Sequence, residues 1–412
     1  MKPTFLVATT CRWFPTARLA IALANAGCAV TAVCPPRHPL AKTSAVRQIH
    51  AYHDLFPLRS FANAITATNP DFIIPGDDLA TQHLHHLYYQ EKRRGEAGAP
   101  ICALIERSLG AAESFPVVYA RTAFMELAQS EGIRVPKTEV IASTYELRKW
   151  LARTGFPTVL KANGTSGGDG VKLVRTSEEA ECAFRALQAP PLFARAIKRA
   201  LIDRDKTLLL PSLLRRQFVV NAQAFVAGHE ATSAIACWKG TVLASLHFEV
   251  LNKTEQAGPA SVVRLIENDE MSYAAERIVR RLNLSGLHGL DFMLESETGN
   301  AYLIEINPRS TQVGHLTLGP GRDLPAALCA AASAERVQAA HRITENETIA
   351  LFPQEWIRNS ESALLRAGYH DVPWEEPELI RACLGKRSRQ SLWLSKQNQP
   401  EVFSTIRKCE TE

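Results

Sequence analysis

The segment GLDFMLESETGNAYLIEINPR, residues 289–309, predicts a β-hairpin whose two strands both carry an acidic side chain. Two runs of strand-forming residues flank ESETGN, a cluster of turn-forming residues. A turn centred near Thr298 places Asp291 opposite Glu305, and Asn307 follows two residues later on the same face. The other face is predicted to be apolar and buried. Its members are Leu290, Phe292, Leu294, Ile304 and Ile306.

The polar face of this hairpin predicts a magnesium site. Like charges opposed across a strand pair are destabilising unless a cation lies between them. Two carboxylates and an amide oxygen suit Mg²⁺, which keeps coordination positions for water and phosphate oxygens. Two acids that simply face solvent are the alternative interpretation, and the hairpin alone leaves it open.

Arg309 follows Asn307 by two residues. Its planar charged group suits an acyl phosphate or a developing oxyanion. An arginine that simply lies on the surface is the alternative interpretation.

A second segment, GFPTVLKANGTSGGDGVKLV at residues 155–174, predicts two strands joined by a glycine-rich loop. Such a loop can fold over phosphates because no side chains obstruct its backbone N–H groups. Lys161 ends the first strand, where its ammonium group can reach a phosphate. The loop feeds a strand and lacks the Gly-Lys-Ser/Thr of a P-loop. A long hairpin turn explains the segment equally well on its own, but the acidic hairpin favours a phosphate-binding loop.

The overall composition argues against several classes of partner. A net charge of +5 spread over 412 residues does not require nucleic acid. The nine cysteines show no metal-binding spacing, which is typical of reduced thiols. The N-terminal apolar run is too short for a signal peptide, and no apolar run reaches the length of a membrane span. We therefore expect a cytoplasmic protein that binds neither nucleic acid nor a membrane.

The order of predicted elements indicates at least two domains. The first hundred residues alternate strands and helices, which predicts a parallel sheet covered by helices. The first strand-to-helix turn, in ATTCRWFPTARL at residues 8–19, lacks the three glycines of a dinucleotide site. A second unit begins near Tyr119 and continues with antiparallel-looking strands. The region beyond about residue 335 is rich in Pro, Trp and charge.

These segments resemble the ATP-grasp superfamily, the fold of biotin carboxylase, D-alanine–D-alanine ligase and the carbamoyl-phosphate synthetase large chain. The resemblance covers roughly residues 1–335 and is most specific at the Asp…Glu-x-Asn-x-Arg spacing. It implies a mixed α/β and α+β architecture. A Rossmann-like parallel sheet (residues 1–115) would precede a two-lobed ATP-grasp domain with mostly antiparallel sheets (116–335) and a C-terminal extension (336–412). The flap lobe would span about 136–212 and the metal-binding lobe about 213–335.

The resemblance also implies a role for individual residues. Asp291, Glu305 and Asn307 would bridge two Mg²⁺ ions, or Mn²⁺, to the phosphates of ATP, and Lys161 and Arg309 would be catalytic. Arg121 stands where the family places its first phosphate-binding lysine. The other implied ATP contacts lie in the flap and in the adenine hinge: Asn163, Gly164, Thr165, Ser166, Gly167, Gly168 and Gly170; and Leu210, Pro211, Leu213 and Gln217.

The implied activity is that of an ATP-dependent ligase. It would activate a small-molecule carboxylate as an acyl phosphate, couple it to an amine through a carbon–nitrogen bond and release ADP. A carboxyphosphate-forming enzyme similar to carbamoyl-phosphate synthetase is one alternative, and a non-catalytic ATP-binding regulatory protein is another. A homodimer is compatible with the sequence. His247 and His288 lie near this chemistry in sequence, and a structural role is favoured for both.

Overall fold

The computed structural model describes residues 2–163, 170–189, 218–255, 258–333 and 342–384. Within these residues the strands form a four-stranded parallel sheet, a four-stranded antiparallel sheet and a seven-stranded sheet of mostly antiparallel pairing. This arrangement confirms the predicted fold class. No helix in the described part of the chain is long and apolar enough to cross a bilayer.

The N-terminal unit is a four-stranded parallel sheet. Its strands are Thr4–Ala8 (β1), Ala29–Cys34 (β2), Val46–Ala51 (β3) and Phe72–Pro75 (β4), in the order β3-β2-β1-β4. Its helices are Pro15–Asn25 (α1), Pro57–Thr68 (α2), Asp78–Lys92 (α3) and Ala99–Leu109 (α4). The other three strands are buried and mostly apolar, whereas β3 is mostly exposed and lacks an apolar pattern, which is why the sequence did not reveal it.

The second sheet is antiparallel and carries the glycine-rich segment. Its strands are Thr138–Ile141 (β5), Thr158–Ala162 (β6), Val171–Val174 (β7) and Val220–Ala224 (β8), in the order β5-β8-β6-β7. Helices Arg121–Ser130 (α5), Thr144–Thr154 (α6) and Ser177–Gln188 (α7) accompany it. Since β8 hydrogen-bonds between β5 and β6, it belongs to this second sheet.

The third sheet has seven strands and holds the acidic hairpin. In chain order they are Gly228–Trp238 (β9), Thr241–Lys253 (β10), Ala260–Leu265 (β11), Gly286–Glu295 (β12), Ala301–Asn307 (β13), Thr348–Leu351 (β14) and Tyr369–Asp371 (β15). Their order in the sheet is β13-β12-β9-β10-β11-β14-β15. A tight turn joins β9 to β10, with Lys239 at φ 47° and Gly240 at φ 77°, the left-handed pair that a two-residue hairpin requires.

Helices cover both faces of this sheet. Asp269–Arg281 (α8) buries Met271, Ala274, Ala275 and Ile278, whose helical spacing directs one apolar face toward the strands. Leu324–Ser333 (α9) packs in the core that also contains β1, β2 and α1. Three short helices follow: Gln354–Arg358 (α10), Leu364–Ala367 (α11) and Pro377–Cys383 (α12).

The C-terminal residues 342–384 are part of the main core. Strand β14 pairs with β11, and β15 pairs with β14. Ile349, Leu351, Trp356 and Ile380 are buried among residues of α1 and the central sheet. Residues 342–384 therefore complete the seven-stranded sheet, although the sequence marked this region as an extension.

Candidate active site

Asp291 and Glu305 face each other across the β12–β13 hairpin, which confirms the predicted pairing. A bulge follows immediately, because Phe292 pairs with Leu303 and leaves Ile304 as an extra residue. Leu303 is therefore fully buried, whereas Ile304 is only half-buried, which corrects the expectation that Ile304 lies on the apolar face. The remaining members of that face are buried or half-buried: Leu290, Phe292, Ile306 and Leu294.

Both carboxylate oxygens of Asp291 accept a hydrogen bond. Thr232 Oγ1 on the neighbouring strand β9 donates to Oδ1 at 2.9 Å, and Asn307 Nδ2 donates to Oδ2 at 2.8 Å. Burial, and after it the charge of Glu305, raises the pKa of Asp291 to about 6 in spite of these bonds. The hairpin thus concentrates negative charge that the described residues do not fully compensate.

Arg309 is held from several sides. Its Nη2 donates to Asn307 Oδ1 at 3.2 Å, and its Nε lies 3.0 Å from Asp78 Oδ1 at the start of α3. The Trp13 ring lies under the guanidinium, with 5.1 Å from its centroid to Cζ. Nη1 donates to the Ser310 carbonyl at 3.3 Å. The N-terminal unit therefore fixes the orientation of a side chain that belongs to the acidic hairpin.

Arg121 and Lys161 bring positive charge to the same place from other elements. Arg121, the first residue of α5, donates from Nη2 to Glu305 Oε1 at 2.9 Å. Lys161 lies on β6 and is 7% exposed. Burial, and after it the charge of Arg121, lowers the pKa of Lys161 to about 8, while Glu305 and Asp291 oppose the shift. Among the described residues no carboxylate forms an ion pair with Lys161, so this ammonium group can receive an anion.

Part of the chain matches a known family model. Residues 120–318 match the family model for the carbamoyl-phosphate synthase L chain, ATP binding domain, and this range includes Arg121, Lys161, Asp291, Glu305 and Arg309. The matched segment, just under half of the chain, is similar to an ATP-grasp domain. The carbamoyl phosphate synthase large chain of Thermus thermophilus is 23% identical over 191 residues, which are 46% of this chain and 17% of that protein. The chain spans less than a third of the length of the first curated relatives that it matches.

Two solved structures share the fold of this chain. The biotin carboxylase domain of 2-oxoglutarate carboxylase from Hydrogenobacter thermophilus has a TM-score of 0.57 at 14% identity, covering 82% of this chain and 71% of that one. N5-carboxyaminoimidazole synthetase from Staphylococcus aureus has a TM-score of 0.56 at 13% identity, covering 82% of this chain and 80% of that one. The similarity in fold therefore extends beyond residues 120–318.

Only part of the predicted glycine-rich flap, and none of the predicted adenine hinge, lies among the described residues. Asn163 and Gly170 stand at the two ends of the glycine loop, where Ala162 N donates to the Gly170 carbonyl at 2.8 Å. Asn163 Oδ1 accepts from Asn221 Nδ2 at 2.8 Å. The other predicted nucleotide contacts lie outside the described residues: Gly164, Thr165, Ser166, Gly167, Gly168, Leu210, Pro211, Leu213 and Gln217.

Sequence reasoning missed several residues that organise the site. Asn221 donates to the Lys161 carbonyl at 3.3 Å and accepts from Thr122 Oγ1 at 2.8 Å, so it links β6 to α5. The sequence did indicate an unusual position here, because the polar residues Asn221 and Gln223 are two positions apart inside the otherwise apolar run VVNAQAF at residues 219–225. Asp78 also had a signal, since it follows strand β4 at the carboxyl edge of a parallel sheet.

The two histidines near this chemistry lie on the opposite face of the sheet from Asp291. His247 bonds to Ser233 Oγ at 2.7 Å and to Ser272 Oγ at 2.9 Å, and burial lowers its pKa to about 4. His247 also lines a cavity of about 220 Å³ that contains none of the predicted site residues. His288 bonds to the Ser285 carbonyl at 2.9 Å. Among the described residues no cluster of three or more His, Cys, Asp or Glu could hold a metal. The hairpin has two such residues, Asp291 and Glu305, and the amide of Asn307 lies beside them.

Proposed function

We propose that this chain is an ATP- and Mg²⁺-dependent ligase that activates a small-molecule carboxylate and couples it to an amine. The observation that carries the proposal is the meeting of two opposed carboxylates with cations from separate elements. Asp291 and Glu305 lie on the seven-stranded sheet, Lys161 lies on the other antiparallel sheet, and Arg121 begins α5. A structural surface pair of acids would not need a buried ammonium group beside it.

The hairpin fits magnesium. Asp291, Glu305 and Asn307 offer only oxygen ligands, and the raised pKa of Asp291 shows that the described neighbours leave its charge undercompensated. These three residues would hold the metal. When bound, Mg²⁺ supplies charge neutralisation for phosphoryl transfer.

The other side chains would bind and orient the reactants. Lys161 and Arg121 would hold the phosphates of ATP together with the flap at residues 163–170, and the predicted hinge would hold the adenine ring. A carboxylate oxygen would attack the γ-phosphorus and release ADP, and an amine would then attack the carbonyl carbon and release phosphate. Arg309, held by Asp78 and Trp13, would stabilise the oxyanion of the second step. Its fixed orientation means that little reorganisation is needed as that charge develops.

Bicarbonate is a second candidate for the carboxylate. The biotin carboxylase domain that resembles this chain was solved with MgADP and bicarbonate. In that case the activated species would be carboxyphosphate, and an amine would receive the carboxyl group. The two candidates differ in one measurable respect. Bicarbonate alone would stimulate ADP release if it is the substrate, whereas an organic acid would be required if the substrate is an organic carboxylate.

The test is a screen for ADP release with Mg²⁺ and ATP, in which amino acids, small carboxylates and bicarbonate are added in turn. We expect one acid and amine pair to stimulate release. Glu305→Gln should abolish the stimulated rate, since it removes a proposed metal ligand. Glu297→Gln is the matched control, because Glu297 lies exposed in the turn of the same hairpin. An unchanged rate for Glu305→Gln would reject the assignment.

A further inference from the structure

A small cavity lies between the N-terminal unit and the acidic hairpin. Its wall includes Thr81 and His85 from α3, His288 from β12, Ser114 and Pro308. Its volume is about 10 Å³, which is about the space that one water molecule needs. Pro308 separates Asn307 from Arg309, and its carbonyl accepts from Thr81 Oγ1 at 2.9 Å. The cavity therefore adjoins the backbone that carries the proposed site.

Two histidines that line this cavity each have a buried ring nitrogen with no hydrogen-bond partner among the described residues. His85 is 5% exposed and His288 is 4% exposed, and the Nδ1 atoms of both have none among the described residues. His85 stacks on Phe115 with ring centroids 3.7 Å apart and an interplanar angle of 8°, so its ring plane is fixed. Buried polar atoms without a partner are uncommon in folded proteins, and an unseen water is a standard reason for them.

The hydrogen-bonding capacity of the wall determines what can fill the cavity. His288 Nε2 lies 2.9 Å from the Ser285 carbonyl, so Nε2 carries the proton and Nδ1 presents a lone pair. The hydroxyl hydrogens of Thr81 and Ser114 are also engaged, because they bond to the carbonyls of Pro308 and Leu282. The wall therefore offers acceptors, and its occupant must be a hydrogen-bond donor.

A metal ion suits the cavity less well than water. Two imidazoles are the only strong metal ligands among the residues that line it. No cluster of three or more such ligands exists in the part of the chain that the structure describes. Burial lowers the pKa of both histidines well below neutrality, so both imidazoles are uncharged at pH 7. A neutral donor of the size of water satisfies the wall without introducing a charge.

We propose that this cavity holds one ordered water molecule that hydrogen-bonds to Nδ1 of His288 and to Nδ1 of His85. The water joins α3, whose first residue Asp78 pairs with Arg309, to β12, which carries Asp291. His85 and His288 are then positioning residues for the contact between the two units. The proposal depends on the geometry of the cavity and not on any assigned activity.

The direct test is a crystal structure of the full chain at a resolution that shows ordered water. We expect a single density peak at about 2.7–3.2 Å from both Nδ1 atoms. A cavity without density, or a peak within bonding distance of only one histidine, would overturn the proposal. This measurement needs no variant, so it stands even if the substitutions below prevent folding.

A double-mutant cycle tests the bridge in solution. His85→Phe and His288→Phe each leave the water with one partner missing, so each should raise the unfolding equilibrium constant about tenfold. The double variant should show clearly less than the product of the two effects, because both substitutions remove the same bridge. Effects that simply multiply would show that the two histidines act separately. His86→Phe is the matched control, since His86 is the exposed neighbour on the same helix.

Discussion

The ammonium group of Lys161 lies where burial and a neighbouring cation both disfavour its charged form. The side chain is 7% exposed, and its pKa falls to about 8, first because of burial and then because of Arg121. The nearby carboxylates of Glu305 and Asp291 only partly offset these effects. A phosphate group at this position would restore the balance, because it adds the negative charge that the described neighbours lack.

Nucleotide binding should therefore depend on pH. Lys161 is protonated below a pKa of about 8 and neutral above it, so the affinity for MgATP should fall as the pH rises from 7 to 9. Lys161→Arg should remove most of this dependence, because arginine stays charged. Isothermal titration calorimetry at several pH values measures this pH dependence of the affinity for MgATP. Lys172→Arg, at an exposed position on β7, is the control and should behave as the unmodified chain does.

Asn221 links two elements that carry proposed phosphate-binding residues. We expect Asn221→Ala to weaken MgATP binding about tenfold, because it frees β6 from α5 and leaves Thr122 without its partner. Gln223→Ala is the control: Gln223 is also buried on β8 but bonds to Thr138 instead. Equal losses of affinity in the two variants would assign the effect to general destabilisation.

The start of α3 connects the parallel sheet to the acidic hairpin at the level of elements. Asp77 caps the helix by accepting from Ala80 N at 2.8 Å, and it also accepts from Thr9 Oγ1 at 2.6 Å in the loop after β1. The next residue, Asp78, pairs with Arg309. One helix end thus ties the first strand of the chain to the arginine that follows β13.

Asp78→Asn should disturb Arg309 without disturbing the helix. Since it replaces a charged hydrogen bond by a neutral one, we expect a tenfold to hundredfold fall in kcat, roughly, with little change in the KM for ATP. Steady-state kinetics with the substrates found in the screen would measure this. Asp269→Asn, at the exposed first position of α8, is the matched control. A rise in the KM for ATP alone would contradict the assignment of Arg309 to the acyl-transfer step.

At the scale of the whole molecule, a buried charge cluster joins three parts of the chain. Asp371 at the end of β15 bonds to Arg18 of α1 and accepts from His315 Nε2 at 2.7 Å. His315 lies in the segment that follows Arg309. Burial alone would raise the pKa of Asp371, but Arg18 and His315 hold it below the usual range. The C-terminal residues therefore brace the loop that leaves the proposed site.

Removing this central charge should destabilise the whole fold. Asp371→Asn leaves Arg18 buried without a counter-charge, so we expect a loss of about 3–5 kcal/mol in the free energy of unfolding. Glu378→Gln, which breaks the exposed pair with Arg381, should cost at most about 1 kcal/mol. Urea unfolding at pH 7 compares the two. Because the pKa of Asp371 is depressed, its stabilising effect should disappear as the pH falls through that pKa, and this acid sensitivity should be absent from Asp371→Asn.

The sequence alone determined the features that depend on local periodicity. Side chains alternate along a strand, so the spacing of Asp291, Glu305 and Asn307 was sufficient to pair the two acids and to place the amide beside them. The alternation of strands and helices likewise predicted the parallel N-terminal sheet. The bulge at Ile304 could not be predicted, because one extra residue in a strand leaves no mark in the pattern.

Only the tertiary structure decided which distant side chains meet. The contacts of Arg309 with Asp78 and Trp13, of Arg121 with Glu305, and of Asp371 with Arg18 all join different elements. The pairing of β14 and β15 within the seven-stranded sheet likewise joins segments that are distant in sequence. Such contacts depend on how the sheets pack against one another, and packing is set by the summed burial of many apolar side chains. No single segment of the sequence contains that sum.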